Sequence, residues 1–277
     1  MLQRILVAVV GIPALLFILC WLPHWATAAL LSALCVVAAH ELLSAACAKP
    51  IASRWFGIAA ILGVLVTFSP YWPTHDDTAM VLMPWLFAAF LVLLFVALVV
   101  EHGKKDALRF FDVCVILMAG VAIPLALGCL LRLRLLDYGA GMVLIPLVAA
   151  FSSDTMALFT GMALGKHKLA PRVSPNKTRE GALGGIVGGM VGMVLFRIIF
   201  FLVTEVQLHI LWCILLGLVG AVMGQLGDLV FSCIKREYGI KDYGRLLPGH
   251  GGVLDRFDSV IFAAPAIWML LHYISLY

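Results

Sequence analysis

Long apolar runs alternate with short polar connections along almost the whole chain. A helix needs about 20 apolar residues to cross a bilayer. The pattern predicts nine such segments, at 5–23, 25–47, 55–71, 80–100, 111–131, 141–164, 182–204, 208–231 and 259–276. In hydrocarbon only helices and closed barrels satisfy the backbone, and these runs are too long for barrel strands. The expected fold class is therefore all-α, a polytopic integral membrane protein with about nine transmembrane helices. Composition agrees: 64% of the residues are hydrophobic and 12% charged, against about 45–50% and roughly 25% in soluble domains. The first run resembles a signal peptide in length, and Ala26-Thr27-Ala28 offers a small-residue cleavage pattern. We read it as an uncleaved first span.

Lys and Arg set the orientation. With Arg4 on the cytoplasmic side, the even-numbered connections carry Lys49 and Arg54; Lys104, Lys105 and Arg109; Lys166, Lys168, Arg172, Lys177 and Arg179; and Lys235, Arg236, Lys241, Arg245 and Arg256. These make 16 of the 19 basic residues, all on one side. The N-terminus is thus expected in the cytoplasm of a cell whose inner (cytoplasmic) membrane holds the chain. Ten of the basic residues fall in two connections, 165–181 and 232–258. Anionic lipid accounts for some juxtamembrane cations. It does not account for the acids and glycines interleaved with them. Residues 1–140 read as N-terminal transmembrane helices, and 141–277 as a C-terminal catalytic region containing both loops. The net charge of +4 says little by itself, and no nucleic-acid partner is expected.

Ionisable groups inside membrane helices are costly and face a cavity or a partner. Glu41, Asp112, Asp154 and Asp228 are such cases. Asp112 also reads as an acid at a helix start. The bland alternative for the other three is a buried carboxylate paired with Arg197 or hydrogen-bonded to Ser or Thr. That alternative is weakest for Asp228, because Ser232 and Lys235 follow at helical spacing and share its face. Gly181, Gly185 and Gly189 form one ridge of the seventh run, and Gly184, Gly188 and Gly192 another, a pattern suited to close helix packing. The seven cysteines are scattered without metal-ligand spacing and read as small core residues.

The first polar loop contains Gly161-x3-Gly165-Lys166-His167. This is no P-loop, being one residue short and lacking the Ser or Thr that would hold magnesium. Pro171 and Pro175 are expected to stop the preceding helix. Ser174 or Thr178 can cap the next one, whose N-terminal amides favour an anion, and Lys177 beside them suits a phosphate. In the second loop Lys235, Arg236, Lys241 and Arg245 offer charge for phosphates, and Gly249, Gly251 and Gly252 allow close backbone approach. Asp255 and Asp258 stand one helical turn apart and, with Asp228, would place three carboxylates at the membrane surface. Magnesium is held by one or two carboxylates together with substrate phosphates. The loop therefore points to a Mg2+-dependent reaction on a phosphate-rich substrate at headgroup level.

The stretch Ser232-x-Ile234-Lys235-Arg236-x4-Lys241-Asp242-x-Gly244-x2-Leu247-Pro248-x-His250-Gly251-Gly252-Val253-x-Asp255-Arg256-Phe257-Asp258 resembles the signature of the phosphatidate cytidylyltransferase (CDP-diacylglycerol synthase) family. Ser174-Pro-x-Lys177-Thr178-x-Glu180-Gly181 and the Asp154 segment resemble it too, so the likeness runs from about 150 to 277. The resemblance implies that CTP and phosphatidate give CDP-diacylglycerol and pyrophosphate, in phospholipid biosynthesis. It implies metal ligation by Asp228 and Asp255 with Asp258 close by, Mg2+ as cofactor with K+ as a second cation, and a homodimer. Lys235 and Lys241 would act on the reacting phosphates. Arg236, Arg245 and Arg256 would bind phosphates of CTP and phosphatidate, and Ser174, Lys177 and Thr178 would close over the same site. Asp154, Glu180, Ser232 and Asp242 join the expected substrate-binding set. His250 either contacts a phosphate or fixes the glycine-rich turn. A cytidylyltransferase for another lipid phosphate is the nearest rival. A transporter would need acids spread across the membrane and matching halves, and no internal repeat is visible. The DG-x2-AR pattern of alcohol phosphatidyltransferases is absent.

Overall fold

The computed structural model describes residues 2–71, 77–246, 251–274 and 276, with side chains from residue 9 onward and excluding those of 77–83. Helices α1 (Leu2–Cys20), α2 (His24–Ala46), α3 (Lys49–Phe68) and α4 (Asp77–Glu101) follow in order, the first three through short turns. Next come α5 (Phe110–Leu117) and α6 (Ile123–Arg134), joined by a π-helical turn at Met118–Ala122, so the fifth expected span is one continuous but widened helix. Pro124 sits just beyond that turn. Proline cannot donate to the residue four before it, and widening the helix accommodates the lost bond.

A short α7 (Gly139–Met142) leads to α8 (Leu144–Leu164), a hairpin of β1 (Lys168–Ala170) and β2 (Ser174–Thr178), then α9 (Arg179–Thr204), α10 (Ile210–Glu237) and α11 (Leu254–Tyr273). The antiparallel hairpin pairs Lys168 with Thr178 and Ala170 with Ser174. It is a departure from an all-helical chain, confined to the first polar loop. That loop is also shorter than expected, because α9 begins at Arg179. The helix before it ends at Leu164, ahead of both prolines.

The second loop changes more. α10 runs on through Glu237 instead of ending near 231, and α11 begins at Leu254. Ser232, Lys235 and Arg236 are therefore helical residues, as are Asp255 and Asp258. The apolar face of α10 continues to Phe231 and Ile234, which pack into the core and carry the polar end with them.

Among the described residues seven helices are long and apolar enough to cross a membrane: 24–46, 49–71, 84–101, 110–134, 139–164, 179–204 and 210–237. This is a multi-pass membrane architecture. Of the first expected span, the residues described with their side chains form an apolar helical stretch, Val9–Cys20. The last, α11, opens with Asp255, Arg256 and Asp258.

Both glycine ridges of α9 pack within the subunit. A Cβ at Gly189 would stand 2.7 Å from Ala221 Cβ and from the Gly217 carbonyl of α10. Gly188 and Gly192 lie against Met156 and Ser152 of α8. One buried cluster runs from α2 and α3 through α6 to α10 and α11, joining the two halves of the chain. Cys35, Cys47, Cys129 and Cys213 are buried free thiols, whereas Cys114 and Cys233 are exposed.

Candidate functional site

The C-terminal ends of α2, α8 and α10 and the N-terminal ends of α9 and α11 meet around one polar centre. Asp228, in the last third of α10, points one carboxylate oxygen to Lys177 Nζ of β2 in an ion pair. Its other oxygen accepts a hydrogen bond from Ser232 Oγ at 3.3 Å, one turn along the same face. Asp154 of α8 and Asp258 of α11 lie within electrostatic range of Asp228 and of each other. Lys177 and Arg256 also act on Asp154. Ser259 bridges the acids: its Oγ lies 3.4 Å from Asp154 Oδ2, and its amide donates to Asp258 Oδ1 at 2.8 Å. Three carboxylates with two cations beside them thus form one cluster drawn from three helices and a hairpin.

Asp255 stands differently. It is buried and, as Asp258 does, borders the cavity beside this cluster, but Lys235 Nζ lies 2.8 Å from Oδ1, and Oδ2 accepts from the amides of Tyr243 and Gly252 at 2.8 and 2.9 Å. Both oxygens are spent inside the protein. Lys235 also sits over the Tyr243 ring, 5.6 Å from its centroid. Burial, with help from Asp255 and Asp258, raises the Tyr243 phenol above its ordinary value. It stays protonated and donates to the Phe231 carbonyl at 3.1 Å. Asp255 therefore ties the loop to both helices that flank it.

The hairpin is held in place by residues expected to bind substrate. Thr178 Oγ1 accepts from Gly181 N at 3.1 Å and caps α9. Glu180 accepts from the amides of Lys166 and His167 at 3.1 and 3.2 Å, and its other oxygen lies 2.6 Å from His167 Nδ1. It closes the base of the hairpin. Arg236 donates from Nε to the Val173 carbonyl and from Nη1 to Ile240, both at 3.2 Å, fastening the hairpin tip to the second loop. Ser174 opens β2 and is half-buried. Lys241, Asp242 and Arg245 are exposed on the loop, with Asp242 facing Gly251 and the cavity. His250 lies outside the described residues, as do Leu247, Pro248 and Gly249.

The acidic cluster closes one end of a cavity of about 1820 Å³. Asp154, Lys177, Asp228, Arg256 and Asp258 line its polar end. The rest is largely apolar, built from Ile12 and Leu15 of α1, Leu30 and Leu34 of α2, Leu147 and Phe151 of α8, and Val191 and Leu195 of α9. Ligand pockets of drug size run about 300–1,000 Å³. This one is large enough for a long apolar tail beside a charged head.

Two features escaped the sequence. Glu41 is buried, but its partners are the amides of Val253 and Leu254, not Arg197 or a hydroxyl. Arg197 donates to the Leu208 carbonyl at 2.6 Å instead. Gln225 of α10 donates to Ser153 Oγ at 3.2 Å and to the Ala182 carbonyl at 3.0 Å, locking three helices beside the cavity. An acid or amide in an apolar run signals a buried partner, but no spacing rule names a partner two hundred residues away.

As a magnesium site the donor set is mixed. Among the described residues no three carboxylates are arranged so as to hold a metal ion between them. Asp228 and Asp258 both line the cavity, and two carboxylates would hold magnesium only if phosphates completed its shell.

Comparison with known proteins agrees with the geometry. Residues 2–274 match the cytidylyltransferase family. A phosphatidate cytidylyltransferase of Bacillus subtilis is 40% identical over 187 residues, 67% of this chain and 66% of that one. The chain thus spans just under two thirds of that relative. Phosphatidate cytidylyltransferases of Staphylococcus saprophyticus and Staphylococcus aureus are 34% and 33% identical over 217 residues, 78% of each chain. With its acids, cations and apolar cavity in these positions, the chain belongs to the cytidylyltransferase family.

Proposed function

We propose that the chain is a phosphatidate cytidylyltransferase. A phosphate oxygen of phosphatidate attacks the α-phosphorus of CTP. The new P–O bond gives CDP-diacylglycerol as the bond to the β-phosphate oxygen breaks, and pyrophosphate leaves with that electron pair. The observation that carries this reading is the placement of Asp154, Asp228 and Asp258, with Lys177 and Arg256, at the polar end of a long apolar cavity. A lipid with a charged head and two acyl chains has that shape and polarity.

The residues suit the chemistry. A phosphate monoester is an anion at neutral pH, so no protein nucleophile is needed. Catalysis then rests on bringing two polyanions together and neutralising the charge that develops. Lys177 and Arg256 present positive charge at the cavity head, and Lys241 and Arg245 extend it across the exposed loop. Magnesium held by Asp228 and Asp258 would supply Lewis-acid neutralisation of the phosphates. Asp255 is its neighbour, with both oxygens engaged, and its share in the metal site requires Lys235 to let go. Potassium as a second cation rests on the family resemblance alone.

The reading extends to nine spans with the N-terminus and the catalytic loops in the cytoplasm, where CTP is available, and to a homodimer in the inner membrane. The basic residues of the even-numbered connections support that orientation. The glycine ridges of α9 are consumed inside the subunit, so the dimer would use another face. Cysteine labelling of Lys241→Cys in intact cells tests the orientation: protection from an impermeant reagent supports it, and labelling from outside contradicts it. For the activity, purified protein should convert tritiated CTP into chloroform-soluble product only when phosphatidate and magnesium are both present. Product with phosphatidate no greater than without it would refute the assignment.

A further inference from the structure

Glu41 belongs to α2, far in sequence from the acidic cluster, and only 4% of it is exposed. Its Oε1 accepts from the Val253 amide and its Oε2 from the Leu254 amide, each at 2.9 Å. These amides open α11. The N-cap of that helix is Val253, which has no side chain able to cap, so the cap is supplied across 212 residues by another helix. Among the described residues no cation pairs with Glu41. Its charge is met by the positive end of the helix it caps. The loop is also shaped around it: a Cβ at Gly244 would stand 2.9 Å from Glu41 Cδ, and one at Gly252 2.6 Å.

The next residues of α11 are Asp255 and, a turn later, Asp258. Gly252 donates to Asp255 Oδ2 at 2.9 Å. Three successive amides, 252 to 254, are therefore claimed by two carboxylates, Asp255 and Glu41. Together they fix both the direction and the rotation of the turn that carries Asp258. We propose that Glu41 is a positioning residue for catalysis, holding the start of α11 so that Asp258 faces Asp228 and Asp154 across the cavity head. This rests on the reading of that cluster as the catalytic centre.

Glu41→Gln tests it. The amide keeps the size but offers one acceptor, and turns a donor toward one of the two N–H groups. We expect kcat to fall by about 10²-fold, as for a small displacement of a reacting group, while KM for CTP changes little. Hydrogen exchange at amides 251–255 should accelerate, with α3, α6 and α9 unchanged. Gly244→Ala approaches the same contact from the loop side, and should give the same loss of kcat and the same local exchange. Adding Glu41→Asp to Gly244→Ala withdraws the carboxylate by one methylene and should restore part of the lost activity. Wild-type kcat and exchange in Glu41→Gln would overturn the proposal. So would an activity loss that only tracks the fraction of folded protein on gel filtration. If Glu41→Gln does not fold, wild-type kcat and exchange in Gly244→Ala would overturn it. A wild-type chain that makes no lipid product refutes the functional reading instead, and the exchange data still decide whether Glu41 holds the turn.

Discussion

Lys177 of the hairpin and Asp228 of α10 form an ion pair that joins a polar loop to a membrane helix at the head of the cavity. Neither partner is fully buried, at 28% and 27% side-chain exposure. Ion pairs that solvent reaches contribute little to stability, about 0–1 kcal/mol. Lys177→Met should therefore leave the melting temperature nearly unchanged while lowering turnover by about 10²-fold, the scale of one lost electrostatic contact to a transition state. Turnover near the wild-type rate would remove Lys177 from the reaction.

The two acids on the first turns of α11 should separate by phenotype. Asp228→Asn and Asp258→Asn keep the shape of groups that face the cavity, and should abolish turnover in a folded protein. Asp255→Asn instead breaks a buried pair with Lys235 and a contact with two amides. Removing one member of a buried pair costs about 3–5 kcal/mol. That variant should lose both activity and thermal stability, whereas the other two lose activity alone. Equal melting temperatures for all three would contradict the tethering role given to Asp255.

Val191 of α9 lines the apolar part of the cavity and is 51% exposed. Val191→Trp should obstruct the path of an acyl chain. The expected outcome is a rise of KM for phosphatidate with KM for CTP unaltered, measured in mixed micelles at fixed detergent. Parallel changes in both constants would place the lipid elsewhere.

Thr178 caps α9 through Gly181 N. Thr178→Val keeps the shape and removes the acceptor, which should cost about 1 kcal/mol. A lowered melting temperature with most of the activity retained is expected, because the hydroxyl is committed to the helix.

The spans were legible because membrane insertion writes itself as uninterrupted apolar runs, and seven of the nine expected segments recur as long apolar helices. Helix ends were less legible. α10 continues through Glu237 because Phe231 and Ile234 keep its buried face apolar, a local periodicity that the surrounding charge obscures. The hairpin at 168–178 is too short and polar to give a strand signal. Among the expected site residues, the face that Asp228 shares with Ser232 was readable from helical spacing, and that contact is present, whereas Lys235 turns to Asp255. The tasks of Glu180, Arg236 and Asp255 were not readable. A charge in a polar loop looks the same in sequence whether it meets a ligand or a backbone amide. Glu41 shows the limit most clearly, since its two partners are main-chain groups and leave no trace in residue identity.

Nucleotidyl transfer from CTP to a lipid phosphate at this site predicts one pattern of label transfer. Parallel reactions with CTP labelled with 32P at the α or the γ position, each with phosphatidate and magnesium, test it directly. The α label should enter chloroform-soluble lipid in equal amount to the pyrophosphate released, the γ label should remain in the aqueous phase, and Asp228→Asn should neither label lipid nor release pyrophosphate. Lipid carrying the γ label, or pyrophosphate released without labelled lipid, would contradict the account.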